Sequence, residues 1–194
     1  MRISGGSAKG RKIGFKRAFL RKGEAEELRP TSAKVREAIF NILGSRTPDA
    51  AFLDLYAGTG AIGIEALSRG ARQAVFVEES AARVKIIREL VERFGFGDRA
   101  VVVKERADLF VKRTDMVFDV VFIDPPYASG ELETILPLID RRDVVSPGGV
   151  VVAEHATRRA MPSCFGSLEL RKRYKYGDTS LSVYDKEEGG GETA

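Results

Sequence analysis

Between residues 51 and 154, short apolar runs alternate with helical patterns, and glycine or proline marks many of the joints. Residues 51–56 (Ala-Phe-Leu-Asp-Leu-Tyr), 73–78 (Gln-Ala-Val-Phe-Val-Glu), 100–104, 118–123 and 150–154 read as strands. The segments at about 61–69, 80–94, 106–113 and about 131–140 read as helices; in the second, Val84, Ile87, Leu90, Val91 and Phe94 share one face. Strands that alternate with helices dictate an α/β chain, with a parallel sheet covered on both faces. A further amphipathic helix precedes the series. Its apolar residues Val35, Ala38, Ile39, Ile42 and Leu43 recur at helical spacing, Thr31 or Ser32 caps it after Pro30, and Gly44 ends it. Beyond a turn at Pro147-Gly148-Gly149, a terminal strand pair is expected near 168–174 and 179–185.

At 194 residues the chain has room for one domain with a substantial core. Its 43% hydrophobic and 31% charged residues argue against disorder or a fibre. No run approaches the roughly 18 apolar residues of a membrane span, so no membrane partner is expected. The single cysteine, Cys164, cannot form an internal disulfide, and the start lacks a secretory apolar core; a cytoplasmic address is expected. Gly5, Gly6, Gly10 and Gly14 would break an amphipathic transit helix there.

The net charge of +4 is less informative than its distribution. Residues 1–22 hold Arg2, Lys9, Arg11, Lys12, Lys16, Arg17, Arg21 and Lys22 with no acid, which leaves the rest of the chain at −4. Such a segment attracts polyanions through counterion release. Interleaved Ile3, Ile13, Phe15, Phe19 and Leu20, punctuated by glycines, suggest a basic hairpin that touches nucleic acid through Arg2, Lys9, Arg11, Lys12, Lys16 and Arg17. A second basic cluster, Arg171 to Tyr176, interleaves aromatics with cations, and the charged outer face of an edge strand explains it equally well.

Asp54-Leu55-Tyr56-Ala57-Gly58-Thr59-Gly60 stands where a strand hands over to a helix. Gly58 and Gly60 admit positive φ and let a ligand approach the backbone beside a helix N-terminus. Gly58 to Gly63 also spells the dinucleotide pattern G-x-G-x-x-G, with Glu78 twenty residues beyond Gly58 to take ribose hydroxyls. An acid at Asp54 would repel a pyrophosphate but pair with a cationic amino-acid group, as in S-adenosylmethionine. Glu78 serves either ligand.

Asp124-Pro125-Pro126-Tyr127 follows the strand at 118–123, at the carboxyl edge where open α/β sheets bind ligands. A nucleobase amine is a poor nucleophile because its lone pair is delocalised into the ring. The Asp124 carboxylate and the Pro125 carbonyl would accept the amine's hydrogens and aim its lone pair at a methyl carbon. The prolines fix φ and pre-organise that carbonyl, and Tyr127 offers a ring on which an extruded base stacks. Together the two constellations indicate amine methylation. His155 reads as a hydrogen-bonded edge residue, and there is no metal-ligand cluster.

On these residues, with Arg2 to Lys12, Leu28-Arg29-Pro30-Thr31, Val35 to Leu43, Gly63 to Ala71, Phe76 to Glu78, Asp119 to Tyr127 and Tyr176-Gly177-Asp178-Thr179, the chain resembles the RsmD family of bacterial 16S ribosomal RNA guanine-N2 methyltransferases. The resemblance covers nearly all of residues 1–185. It implies a Rossmann-like class I methyltransferase fold with a seven-stranded, mostly parallel sheet, and a basic N-terminal β-hairpin arm over 1–28. The methyltransferase domain would span 29–185, and a disordered tail 186–194.

The same resemblance implies S-adenosylmethionine as donor and S-adenosylhomocysteine as product. The acceptor would be the guanine-966 N2 amine of 16S ribosomal RNA, presented in a small ribosomal subunit to a monomeric enzyme. Asp54, Tyr56, Ala57, Gly58, Thr59, Gly60 and Glu78 would hold the donor. Arg106 stands where similar sequences place an acid for the adenine amine, which leaves Asp108 for that contact. Arg29 would contact RNA, although with Thr31 it also suits a turn and helix cap. A DNA adenine-N6 methyltransferase, an NAD-dependent oxidoreductase and a non-catalytic RNA-binding module remain alternatives.

Overall fold

The computed structural model describes residues 2–13, 32–126 and 130–187. After helix α1 (Ala33–Leu43), strands β1 (Ala51–Leu55), β2 (Gln73–Glu78), β3 (Ala100–Lys104), β4 (Phe118–Ile123) and β5 (Val145–Ala156) alternate with helices α2 (Ala61–Ser68), α3 (Ala81–Phe94), α4 (Ala107–Arg113) and α5 (Leu132–Arg141). Strands β6 (Cys164–Phe165), β7 (Leu168–Tyr176) and β8 (Thr179–Lys186) complete the sheet in the order β3-β2-β1-β4-β5-β8-β7-β6. The first five strands in this order pair in parallel and the remainder antiparallel. The described sheet thus has eight strands against the seven expected, the extra one being two-residue β6.

Alternation along each strand sorts the core into two layers. Phe52, Phe76, Phe122 and Val152 face α1, α2 and α3, whereas Leu53, Val75, Val121 and Val151 face α4 and α5. Local chemistry sets the ends of the helices. The Ser32 hydroxyl accepts from Val35 N at 3.1 Å, the Ser80 hydroxyl accepts from Arg83 N at 3.4 Å, and Gly95 closes α3 in a left-handed conformation. Gly63 lets α2 lie against β2, because a Cβ there would come within 2.3 Å of the Phe76 ring.

Strand β5 is longer than the expected 150–154. Phe118 pairs with Val145 and Val120 with Val150, so residues 146–149 form an excursion inside the strand where a terminating turn is expected. Asp119 fixes this irregularity by accepting from Ser146 Oγ at 3.0 Å and from Ala51 N at 2.8 Å. Strands β7 and β8 meet in a two-residue turn whose first residue, Gly177, has φ 63°, as a type II′ hairpin requires.

Residues 2–13 close on themselves through the Arg2–Lys12 bridge and through Ile3 N donating to Arg11 O at 3.0 Å. Beyond this single bridge these residues form no strand. Ile3, Ala8 and Ile13 are buried in the core, and the Glu65 carboxylate accepts from Ser4 N, Ser4 Oγ and Gly5 N at 2.8–3.1 Å. This part of the expected arm is packed against the domain; residues 14–28 of it, and 188–194 of the expected tail, lie outside the described residues. Lys186, the first residue of that tail, ends β8.

Glu65 also meets Arg69 Nε at 2.9 Å and Arg36 Nε at 3.4 Å, with no exposure of its own side chain. Removing one member of a buried ion pair strands the other, at a cost of roughly 3–5 kcal/mol. Glu65→Ala should lower the unfolding free energy by about that much in urea denaturation, whereas Arg72→Ala, at an exposed 4.0 Å pair with Asp119, should change it by less than about 1 kcal/mol.

Candidate functional site

The chain turns from β1 into α2 through three residues in the left-handed region, Tyr56 (φ 70°), Gly58 (φ 55°) and Gly60 (φ 73°). Ala57 N donates to Val77 O at 2.9 Å, and Gly60 N to Ala57 O at 2.7 Å. Gly60 occupies the N-cap of α2 and has no side chain to cap it. Asp54 does this from within β1: its Oδ2 accepts from Gly63 N at 2.9 Å, one of the helix's orphan donors. Burial drives the Asp54 carboxyl up to about 7, with the Gly63 bond opposing and the Glu78 charge adding to the rise.

Glu78 ends β2 and braces the turn. Its Oε2 accepts from Gly58 N at 2.8 Å, its Oε1 accepts from Ser80 N at 2.9 Å, and Arg83 lies 3.7 Å away. A carboxylate has about four acceptor positions, so further positions remain for ligand hydroxyls. Burial raises this carboxyl too, against the two backbone bonds and Arg83.

A cleft of about 670 Å³ opens beside this turn, on the α4–α5 side. Tyr56, Glu78, Arg106, Asp108 and Pro126 are in its wall, and α5 contributes Ile135 and Leu138. Burial pushes the Tyr56 hydroxyl upward, reinforced by its hydrogen bond to Glu131. Asp108 lies 3.0 Å from Lys112 Nζ and 3.1 Å from Arg106 Nε; Lys112 above all, with Arg106, holds its carboxyl below the usual range.

Of the residues expected to hold a donor, Tyr56, Glu78 and Asp108 therefore line the cleft. Asp54, Ala57, Gly58, Thr59 and Gly60 do not. Asp54 is 1% exposed, and its Oδ2 engages Gly63. Gly63 serves helix–strand packing, so the dinucleotide-like spacing has a structural cause.

Asp124 follows β4. Ile123 pairs with Ala153, which sets Asp124 alongside Glu154, and Asp54 pairs with Phe122 on the other flank. By alternation Asp54, Asp124 and Glu154 share the face that carries Phe122 and Val152, toward α1–α3. The Asp124 carboxyl is raised well above the ordinary range by desolvation, then by Glu154, then by Asp54. Pro125 is buried, while Pro126 is exposed in the cleft wall. Asp-Pro-Pro thus passes over the end of the sheet from an acidic face to the cleft. Tyr127 lies outside the described residues.

The basic candidates divide. Arg11 donates to Arg93 O at 2.6 Å and Phe94 O at 3.4 Å, and sits 4.4 Å above the Phe94 ring. It closes the C-terminal end of α3 while remaining exposed at the surface. Arg2 donates to Gly10 O at 2.7 Å, and Lys9 and Lys12 are exposed. Lys16, Arg17 and Arg29 lie outside the described residues, as does Thr31. His155 is buried, with Nε2 2.8 Å from Ser182 Oγ and Nδ1 2.9 Å from Ala156 O. Cys164 is an exposed free thiol.

Three site residues escaped sequence reasoning. Arg83 and Glu131 are single charges on otherwise ordinary helical stretches and carry no signal. Glu154, 5% exposed at the end of the apolar run Val150–Ala153, could have been flagged as an acid inside a buried strand.

A family model described as Conserved hypothetical protein 95 matches residues 1–185. The chain is 33% identical over 189 residues to the Bacillus subtilis protein YlbH, provisionally named an rRNA methyltransferase, covering 96% of this chain and 99% of that protein. It is 30% identical over 191 residues to Ribosomal RNA small subunit methyltransferase D of Escherichia coli, covering 98% and 92% of the two chains. The solved structure of Escherichia coli YhhF, provisionally named a methyltransferase, is similar with a TM-score of 0.84 and 30% identity over 97% of this chain and 98% of that one.

The raised Asp54 carboxyl has a thermodynamic consequence. An acid that titrates near 7 when folded and near 3.8 otherwise keeps its contribution below about pH 4 and loses it as pH rises through 7. Asp54→Asn should therefore match wild-type stability at pH 4 and exceed it at pH 8 by on the order of 2–4 kcal/mol, read from denaturation curves at both pH values.

Proposed function

This chain belongs to the RsmD family of methyltransferases, and from that premise we propose that it methylates the N2 amine of a guanine, position 966, in 16S ribosomal RNA. The observation that carries the reading is the placement of Asp124 at the end of β4, beside Glu154 and Asp54 and two residues from Pro126 in the cleft wall.

S-adenosylmethionine, when bound, supplies a methyl group on a positively charged sulfur. The residues present suit it. A donor with a sulfonium and an ammonium group brings positive charge to a strand edge where three carboxylates repel one another. Glu78 keeps acceptor positions for ribose hydroxyls while its Gly58 bond holds the turn. Tyr56, Ala107 and Ile135 give the cleft wall apolar surface for an adenine ring, and Asp108 provides an acceptor for its amine.

On the acceptor side, the Asp124 carboxylate and the Pro125 carbonyl take hydrogen bonds from the guanine amine. This gives the nitrogen tetrahedral character and points its lone pair along the line of displacement. The paired prolines restrict φ and hold the carbonyl in place, so little ordering remains for the moment of reaction. Tyr127 supplies the ring that stacks on the flipped base. The raised carboxyl of Asp124 falls when positive charge arrives beside it, which readies it as an acceptor.

Ribosomal RNA small subunit methyltransferase D of Escherichia coli supports this substrate class by its name and by its coverage of nearly the whole chain. Asp124→Ala should cut methyl transfer from labelled donor to unmethylated small subunits roughly 10²-fold or more, with S-adenosylhomocysteine still binding in calorimetry. Transfer at the wild-type rate would overturn the mechanism; transfer to DNA in place of small subunits would overturn the substrate.

A further inference from the structure

A second concavity lies on the α1–α3 side of the sheet, between the exposed edge of α1 and the face of β7. It encloses about 530 Å³ and is lined by Lys34, Glu37 and Asn41 from α1 and by Tyr174 and Tyr176 from β7. Both rings are half-buried against the core and half-open, and Lys34, Glu37 and Asn41 are exposed. Lys172 shares the rings' face of β7, and its Nζ lies 5.1 Å from the Tyr174 ring centre. The stretch Arg171 to Tyr176 contains four cations and no acid.

The sheet register ties this groove to the catalytic acid. Asp124 lies alongside Glu154, Glu154 pairs with Leu181 on β8, and Leu181 pairs with Tyr174 on β7. Paired residues point to one face, so Asp124 and Tyr174 stand in one row, three strand spacings or roughly 14 Å apart. An extended nucleic-acid strand of a few nucleotides spans that distance.

Resting on the function proposed above, we infer that the α1–β7 groove binds single-stranded RNA next to the target guanine, with Tyr174 and Tyr176 as stacking platforms. Lys34 and Lys172 neutralise phosphates along its length. Asn41 offers a donor and an acceptor and Glu37 an acceptor to base edges, the latter suited to an exocyclic amine. Rings that alternate with cations along a positively charged track are the features that hold single strands, because every base has a face to stack. The groove keeps the strand in line while one base is turned into the site at Asp124.

The test measures binding of the full chain to a labelled single-stranded oligoribonucleotide and to unmethylated small subunits. Calorimetry with S-adenosylhomocysteine verifies an intact fold in every variant. The pair Tyr174→Ala and Tyr176→Ala should weaken Kd for the oligoribonucleotide roughly tenfold or more, while Tyr174→Phe with Tyr176→Phe stays within about twofold of wild type. Lys34→Glu with Lys172→Glu, on exposed side chains that the fold tolerates, should weaken binding and flatten its dependence on salt by roughly two phosphate contacts. On small subunits the alanine pair should raise KM with kcat little changed.

If both the alanine pair and the charge-reversed pair bind the oligoribonucleotide as wild type does, the groove is not an RNA surface, whatever the rate of methyl transfer. Wild-type protein that binds through this groove yet methylates no small subunit would instead overturn the function proposed above and leave the groove standing.

Discussion

The buried carboxylate of Glu65 holds together parts of the chain that are distant in sequence. It lies on α2, the helix that the β1 turn launches, and it accepts from the backbone of residues 4 and 5 while facing Arg36 on α1 and Arg69 one turn on. A charge without exposure persists only when it is fully compensated, so the three segments have to assemble together. Burial draws the Arg36 guanidinium below its usual value, and Glu65 pulls it back. The position of α1, and with it one wall of the α1–β7 groove, follows from this cluster.

The carboxyl ends of β1, β4 and β5 divide the work between two faces of one sheet. The cleft on the α4–α5 side is lined by the carboxylates of Glu78 and Asp108, and the α1–α3 side gathers the acids Asp54, Asp124 and Glu154. Asp-Pro-Pro crosses from one to the other, which is why a rigid dipeptide suits this position better than a flexible loop. Mutual repulsion in the acid row makes its fully charged form costly.

Much of this arrangement was legible before any coordinates. The alternation of apolar runs and helical patterns located every long strand and helix among the described residues to within a few positions, because buried parallel strands have few polar interruptions. Two features were hidden. The excursion at residues 146–149 continues β5, since Asp119 replaces the lost ladder bonds, and no local pattern announces a remote side chain. The second is that Asp54 caps α2; a carboxylate at a strand end looks the same in sequence whether or not it holds an orphan amide. The contacts of Arg11 were hidden for a similar reason: a cation in a basic segment gives no sign that two carbonyls of α3 are waiting for it.

The outer side of β7 deserves to be considered with its charges. Among the described residues, only the two of β6 pair with its far edge, so most of this nine-residue strand has no described strand beside it there. Open strand edges invite other chains to add on, and lysines or arginines along them discourage this. The basic residues from Arg171 to Lys175 line this edge with the charges that discourage such addition. Loss of these charges would carry a liability of its own, self-association through an unguarded backbone.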